Sequence, residues 1–362
     1  MTTKTETRTS ANSTKDSDAT SQNPTVAVDK NYWRDQLHPE FKYTMKKLPQ
    51  LTIDSRFKTT MIQFMMKLVP SPKIHPDVTT EKIPNIGVYY YPKNDATKSP
   101  LNSAILWIHG GGRIIGSVEM DRVYCQKLCT VFNMPVLGVK YRLAPKHPFP
   151  AALDDITKAY KWLVNRLESQ RTDGEGDNEP VRIAVAGESA GGGLAAELCQ
   201  KLLDEIKTNQ TTLPVVQLLI NPMLDDRTCV DEQYDALPPH LIWNKKSNTF
   251  AWSSYLGPSY EPGDATIPQY ASASRRQDLS NLPPAYIVCG TLDMFLSECR
   301  DYAERLKGHG VDVTYDEIEG GFHGMVPIAE GTDCIAKVWR SMELFGKKYL
   351  ETWMMNRIES AD

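Results

Sequence analysis

Ser189 stands at the centre of Gly187-Glu188-Ser189-Ala190-Gly191, a G-x-S-x-G pattern. The pattern ends the apolar run Val181–Ala186 and opens an alanine-rich helical stretch. A serine hydroxyl is a weak nucleophile until a neighbouring base takes its proton. A tight strand-to-helix turn would lift it clear of the backbone, and glycines at 187 and 191 remove the side chains that would crowd such a turn. The helix N-terminus that follows favours developing negative charge. Taken alone, the same five residues also describe a glycine-rich turn with an incidental serine, so the partners decide.

A second glycine cluster, His109-Gly110-Gly111-Gly112, follows the apolar run Ala104–Ile108. Backbone N–H groups on such a loop can approach a carbonyl oxygen closely. Gly111 and Gly112, with Ala190, are the expected oxyanion donors. His109 reads as a residue that orients this loop. Two histidines lie beyond residue 264, His309 and His323. His309, in Lys307-Gly308-His309-Gly310, reads as a solvated turn. His323 lies in a loop just past the run ending near Ile318, at a strand's carboxyl end, where sites form in open α/β sheets. His323 is therefore the candidate base. Asp293, following the run Ala285–Cys289, is the candidate acid. Asp225 and Asp226, following Pro214–Ile220, are its rivals and otherwise read as an exposed loop. The chain order serine, acid, histidine is that of α/β hydrolases.

These groups need a scaffold, and the patterning supplies one. Apolar runs at Lys82–Tyr91, Ala104–Ile108, Pro135–Lys140, Val181–Ala186, Pro214–Ile220, Ala285–Cys289 and Val311–Ile318 read as strands. Helical patterns lie between and after them: Asp121–Phe132, the series Ile156, Tyr160, Leu163 and Leu167, Ala190–Ile206, Ser297–Lys307 and Asp333–Tyr349. Alternation of this kind predicts an α/β fold with a mostly parallel sheet covered on both faces. Residues 76–224 and 265–362 would form this core. Residues 30–75 read as an N-terminal helical cap segment, in which Ile53, Phe57, Met61, Met65 and Leu68 make one apolar face, flanked by Phe64 and Met66. That face suits either core packing or a cap over a pocket. Residues 225–264 interrupt the rhythm with Pro238, Pro239, Trp243, Phe250, Trp252 and Tyr255, and read as a second cap insertion. The charged segment Arg171–Glu179 reads as a surface loop.

The 41 Lys and Arg against 45 Asp and Glu leave a net charge of −4, which gives no reason to expect nucleic acid or an anionic membrane as partner. The seven cysteines are odd in number and scattered, without a CxxC pair. They fit neither a disulfide framework nor a zinc site and point to a reducing, cytoplasmic setting. No apolar run approaches a membrane span or a signal sequence. Residues 1–29 hold 12 Ser or Thr and few large apolar side chains, the composition of a disordered tail. A transit peptide is the competing reading, against which Glu6, Asp16 and Asp18 count.

Taken together, these motifs resemble the hormone-sensitive-lipase-like family of α/β hydrolases, from about Tyr89 to Met325. The resemblance is carried by His109-Gly110-Gly111-Gly112, Tyr141-Arg142-Leu143-Ala144-Pro145 running on to Ala152, Gly187 to Gly192, Asp293 with Glu298, and Phe322-His323-Gly324. It implies a carboxylesterase with a helical cap, no metal and no organic cofactor, acting on a small or medium ester. It also implies the triad Ser189, Asp293 and His323, and the frequent dimers of the family extend the expectation to a homodimer.

Three departures bear on substrate choice. Arg113 follows the glycine loop where an aromatic or apolar residue is common. Asp121 and Arg122 stand where histidine and aspartate are frequent. Lys146 replaces the usual glutamate after Leu-Ala-Pro. Arg113 offers a planar fork to an acidic substrate, or else pairs internally with Asp121 or Glu119. With Trp243 and Tyr255 it is a candidate substrate contact. Two other readings use the same scaffold: a triad serving lactone hydrolysis, transesterification or cyclisation, and a non-catalytic small-molecule receptor. Receptors of this family lack the base.

Overall fold

Strand residues of the central sheet alternate between two apolar layers. Ala104, Leu106, Ile108, Ile183 and Val185 face one side, while Ile105, Trp107, Ala184 and Ala186 face the other. Both faces are therefore buried, as a sheet covered by helices on each side requires. The computed structural model describes residues 33–45, 52–93, 102–170, 180–206, 212–232 and 242–351. The tail 1–29, the segment 171–179, Pro238 and Pro239 lie outside the described residues.

Among the described residues there are eight strands: β1 (Val78–Ile83), β2 (Gly87–Pro92), β3 (Ser103–Ile108), β4 (Val136–Val139), β5 (Arg182–Glu188), β6 (Val216–Ile220), β7 (Ala285–Gly290) and β8 (Val313–Ile318). They form one sheet in the order β1-β2-β4-β3-β5-β6-β7-β8. The β1–β2 and β2–β4 pairs are antiparallel and all others are parallel. The expected single strand Lys82–Tyr91 is in fact the hairpin β1–β2. Pro84 cannot donate to a ladder, and Asn85 takes a left-handed φ of 59°, so the chain reverses there.

The helices are α1 (Trp33–Gln36), α2 (Lys42–Met45), α3 (Arg56–Leu68), α4 (Arg122–Phe132), α5 (Ala151–Ser169), α6 (Ala190–Ile206), α7 (Lys245–Leu256), α8 (Leu296–Gly308), α9 (Met325–Ile328) and α10 (Asp333–Leu350). Helices α5, α6 and α8 pack on one face of the sheet, through Tyr160, Leu198 and Tyr302 among others. Helices α4 and α10 cover the other, through Leu128, Phe132, Trp339 and Met342.

Two segments expected to act as a cap do meet. Ser247 Oγ of α7 accepts from Ile53 N at 2.9 Å, and Asn244 Nδ2 donates to Thr52 Oγ1 at 3.0 Å. On α3 itself, however, the expected inner face is reversed. Phe57, Met61, Phe64, Met65 and Leu68 are exposed, while Thr59 and Ile62 are buried. Polar anchors set this rotation: Ile53 is tied to α7, and Gln63 Nε2 donates to Ile114 O at 2.6 Å on the core side. Hydrophobic periodicity finds a stripe but not the hydrogen bonds that orient it.

Candidate active site

Ser189 occupies the turn between β5 and α6 with φ 55°, a left-handed value rare for serine. The turn is pinned from both sides. Ser189 N donates to Ile220 O at 2.8 Å, and Ser189 O accepts from Gly193 N at 3.0 Å and Met223 N at 2.9 Å. The glycines are sterically required. A Cβ on Gly191 would lie 2.0 Å from Ile108 O, and one on Gly187 would lie 2.5 Å from the Gly191 carbonyl.

His323 follows β8, in the loop before α9. Its Nε2 lies 2.9 Å from Ser189 Oγ and its Nδ1 lies 2.8 Å from Asp293 Oδ2. A carboxylate only accepts, so Nδ1 carries the hydrogen and Nε2 is free to accept from the serine. Burial works against charge on both partners. Their mutual attraction prevails: Asp293 is held below the usual carboxylate range, with the Phe295 amide and Asn221 assisting, and His323 is raised above 6.5 by Asp293 and by nearby Glu188. Asn221 Nδ2 donates to Asp293 Oδ2 at 2.6 Å, and Phe295 N donates to Oδ1 at 2.9 Å.

The glycine loop lies beside the serine: a Cβ on Gly110 would be 3.5 Å from Ser189 Cβ. Gly111 and Gly112 have φ 104° and 61°. Among the described residues, neither of their N–H groups has a protein acceptor. Ala190, the first residue of α6, has the orphan N–H of a helix start. His109 is buried, stacks on Tyr141 at 4.1 Å between centroids, and meets Gly110 O through Nδ1 at 2.8 Å. Burial lowers it to about 4, so it is neutral, as a loop-orienting role needs.

Not every expected residue comes to this place. Arg113 and Tyr255 are fully buried, which corrects the reading of both as substrate contacts. Nor does Arg113 pair with Asp121 or Glu119. Its guanidinium donates to Glu197 Oε1 at 2.6 Å and Ala271 O at 3.1 Å. It is sandwiched between the rings of Trp252 and Tyr255 at 4.2 and 4.1 Å. Asp121 instead accepts from Trp107 Nε1 at 2.9 Å. Asp226, read as exposed, is fully buried and is chelated by Arg275 at 2.7 and 2.9 Å; Asp225 pairs with Arg227. Neither contacts His323. His309 closes α8 and meets Arg305 O, as a turn residue does.

Trp243 remains at the site. Its ring tip covers Gly112, where a Cβ would lie 2.3 Å from it, and its centroid is 6.4 Å from that of His323. Sequence reasoning missed Asn221 and Phe295 N. The signal for Asn221 was available: it directly follows β6, at the same sheet edge as Ser189 and Asp293. Among the described residues, no group of three or more His, Cys, Asp or Glu side chains is placed to hold a metal ion.

Residues 105–327 match the family described as alpha/beta hydrolase fold. The chain belongs to that family. Within it, the chain is 30% identical over 272 residues to the carboxylic ester hydrolase LipN of Mycobacterium tuberculosis, covering 73% of this chain and 69% of that protein. It is 29% identical over 238 residues to an ethyl acetate hydrolase of Pseudomonas putida, covering 66% and 70%. A solved bacterial heroin esterase superposes with a TM-score of 0.73 at 28% identity, covering 87% of this chain and 98% of that one. An esterase of the bacterial hormone-sensitive lipase family superposes at 0.66 and 25% identity over 86% and 99%. This α/β hydrolase is thus hormone-sensitive-lipase-like.

Proposed function

We propose that this carboxylic ester hydrolase forms an acyl-enzyme on Ser189. His323 Nε2 takes the hydroxyl proton as Oγ attacks the ester carbonyl. Asp293 holds the imidazole in the required tautomer and stabilises its cationic form. The oxyanion rests on the N–H groups of Gly111, Gly112 and Ala190. His323 then protonates the departing alkoxide, and a water deprotonated by the same imidazole releases the acid and restores Ser189. The observation that carries this reading is the continuous hydrogen-bonded line Ser189–His323–Asp293, at 2.9 and 2.8 Å. The names of two similar proteins, an ethyl acetate hydrolase and a heroin esterase, support small or medium esters as substrates, and Trp243 is the remaining candidate for the pocket wall.

The presence of His323 within reach of Ser189 counts against a receptor. Transfer to an alcohol, lactone hydrolysis and cyclisation use the same groups, and product analysis with and without added alcohol separates them from hydrolysis. A cytoplasmic setting is supported by six buried free cysteines out of seven. A homodimer rests on family analogy, and sedimentation measures it. No helix among the described residues is long and apolar enough to cross a membrane. The deciding experiment is p-nitrophenyl butyrate hydrolysis by Ser189→Ala. Loss of turnover with an unchanged circular dichroism spectrum is expected. Turnover near the wild-type rate would remove Ser189 from the mechanism.

A further inference from the structure

A cavity of about 860 Å³ lies between α3 and the core, bounded by His109 and Gly116 on one wall. Its volume is in the range of small-molecule sites. Ser189 is not on its lining, but only one residue intervenes. Gly110 lies against Ser189 on one side, and its carbonyl faces Gly116 on the other, where an added Cβ would be 2.5 Å away.

The charge of the lining is one-sided. Lys67 comes from α3, Lys140 from the end of β4, Lys146 from the loop after it and Lys158 from α5. None of these four ammonium groups has a carboxylate within 4 Å among the described residues. Asp155, one of two acidic side chains on the lining, is already held by Arg142 at 2.8 and 2.9 Å. Only Glu119 is left to balance four lysines. Met66 and Leu143 add apolar surface between them. A lysine rim over an apolar floor suits an aliphatic chain that ends in a negative charge.

We propose that this cavity binds a carboxylate carried on a short aliphatic chain, held by Lys140, Lys146 and Lys158 with Lys67 closing over it from α3. Two molecules offer that chemistry: a free dicarboxylate seated beside the oxyanion loop, and a half-ester of a dicarboxylic acid, whose ester end would have to pass Gly110 to reach Ser189. The half-ester case rests on the esterase reading above; the binding site does not.

The test uses the full chain and the variant Lys140→Glu/Lys146→Glu/Lys158→Glu. Calorimetry at low salt measures adipate binding to Ser189→Ala with and without the charge reversals. Kinetics compares ethyl hydrogen adipate with ethyl hexanoate, nearly equal in length and differing in the terminal charge. Adipate binding is expected and should weaken at least roughly tenfold on reversal. A fall of similar size in the kcat/KM ratio of half-ester to neutral ester identifies the substrate as the source. A ratio that stays fixed while adipate binding is lost identifies a free ligand. Absence of adipate binding, or binding indifferent to reversal together with a fixed ratio, overturns the proposal. If the triple reversal misfolds, the Lys→Gln triple variant carries the same comparison. A wild-type protein that binds adipate through these lysines but hydrolyses neither these esters nor p-nitrophenyl butyrate keeps the site and counts against the esterase reading instead.

Discussion

Asn221 and His323 share one oxygen: Asp293 Oδ2 accepts from Asn221 Nδ2 at 2.6 Å and faces His323 Nδ1 at 2.8 Å. The acid is thereby fixed from the end of β6 as well as from its own loop. That loop is itself secured by Glu298, whose buried carboxylate accepts from Leu224 N at 2.7 Å and from the Thr228 hydroxyl. Removing a hydrogen bond to a charged group costs about 1.5–3 kcal/mol. Asn221→Ala should therefore lower kcat roughly 10- to 100-fold by releasing Asp293, with KM for a small ester little changed. A KM increase at constant kcat would assign Asn221 to substrate binding instead.

The pH profile follows from the same pair. His323 must be neutral to act as base, and its pKa is raised above 6.5. The acid limb of kcat/KM should accordingly lie above 6.5, with activity rising as pH increases through it. Asp293→Asn removes the charge that favours the imidazolium and should move the limb down. It also presents the wrong tautomer, so the rate should fall by roughly four orders of magnitude. Stopped-flow or plate-reader rates between pH 5 and 9 measure both; a limb that does not move would exclude Asp293 as the partner of the titrating group.

Arg113 makes a stability prediction. Its guanidinium and the Glu197 carboxylate are fully buried and 2.6 Å apart. Deleting one partner of such a pair typically costs about 3–5 kcal/mol; burial already raises Glu197 to about 8, so without Arg113 its carboxyl takes up a proton and the loss lies at the low end of that range. Arg113→Met should show that loss in urea denaturation, and Arg113→Met/Glu197→Leu should recover part of it. An additive double variant would mean that the two charges do not depend on each other.

The glycine loop predicts a rate effect. A Cβ at 111 would lie 2.4 Å from Ile115 O at a φ of 104°. Gly111→Ala must shift the loop and its N–H groups. Loss of one oxyanion donor lowers kcat roughly 100- to 1000-fold. Ester hydrolysis assays on the folded variant check this, and a wild-type kcat would remove Gly111 from the oxyanion site.

Much of this was written in the chain because the chemistry leaves little choice. A nucleophile turn tolerates only glycine at 187 and 191, and those glycines stand out in any reading. Asp293 follows a strand whose apolar run is continuous, and His323 follows one that alternates Val311, Val313 and Tyr315 with polar residues. What stayed hidden depends on contacts distant in sequence. Arg113 was open to a substrate carboxylate or to an internal pair with Asp121 or Glu119, and its actual partner Glu197, 84 positions away, gave no sign of that role. The stripe on α3 was visible, but its outward rotation depends on Ser247 and Ile114. The hairpin at Asn85 was missed although Pro84, Asn85 and Gly87 mark the turn, because Ile83, Ile86 and Val88 on either side read as one apolar stretch.

The central claim is that Ser189 carries the acyl group and that His323 makes it nucleophilic. Intact-mass and peptide mapping after incubation with a fluorophosphonate test it directly. One phosphonate adduct per chain on Ser189 is predicted, formed rapidly by the wild type and far more slowly by His323→Ala. An unlabelled Ser189, or labelling that is as fast without His323, would contradict it.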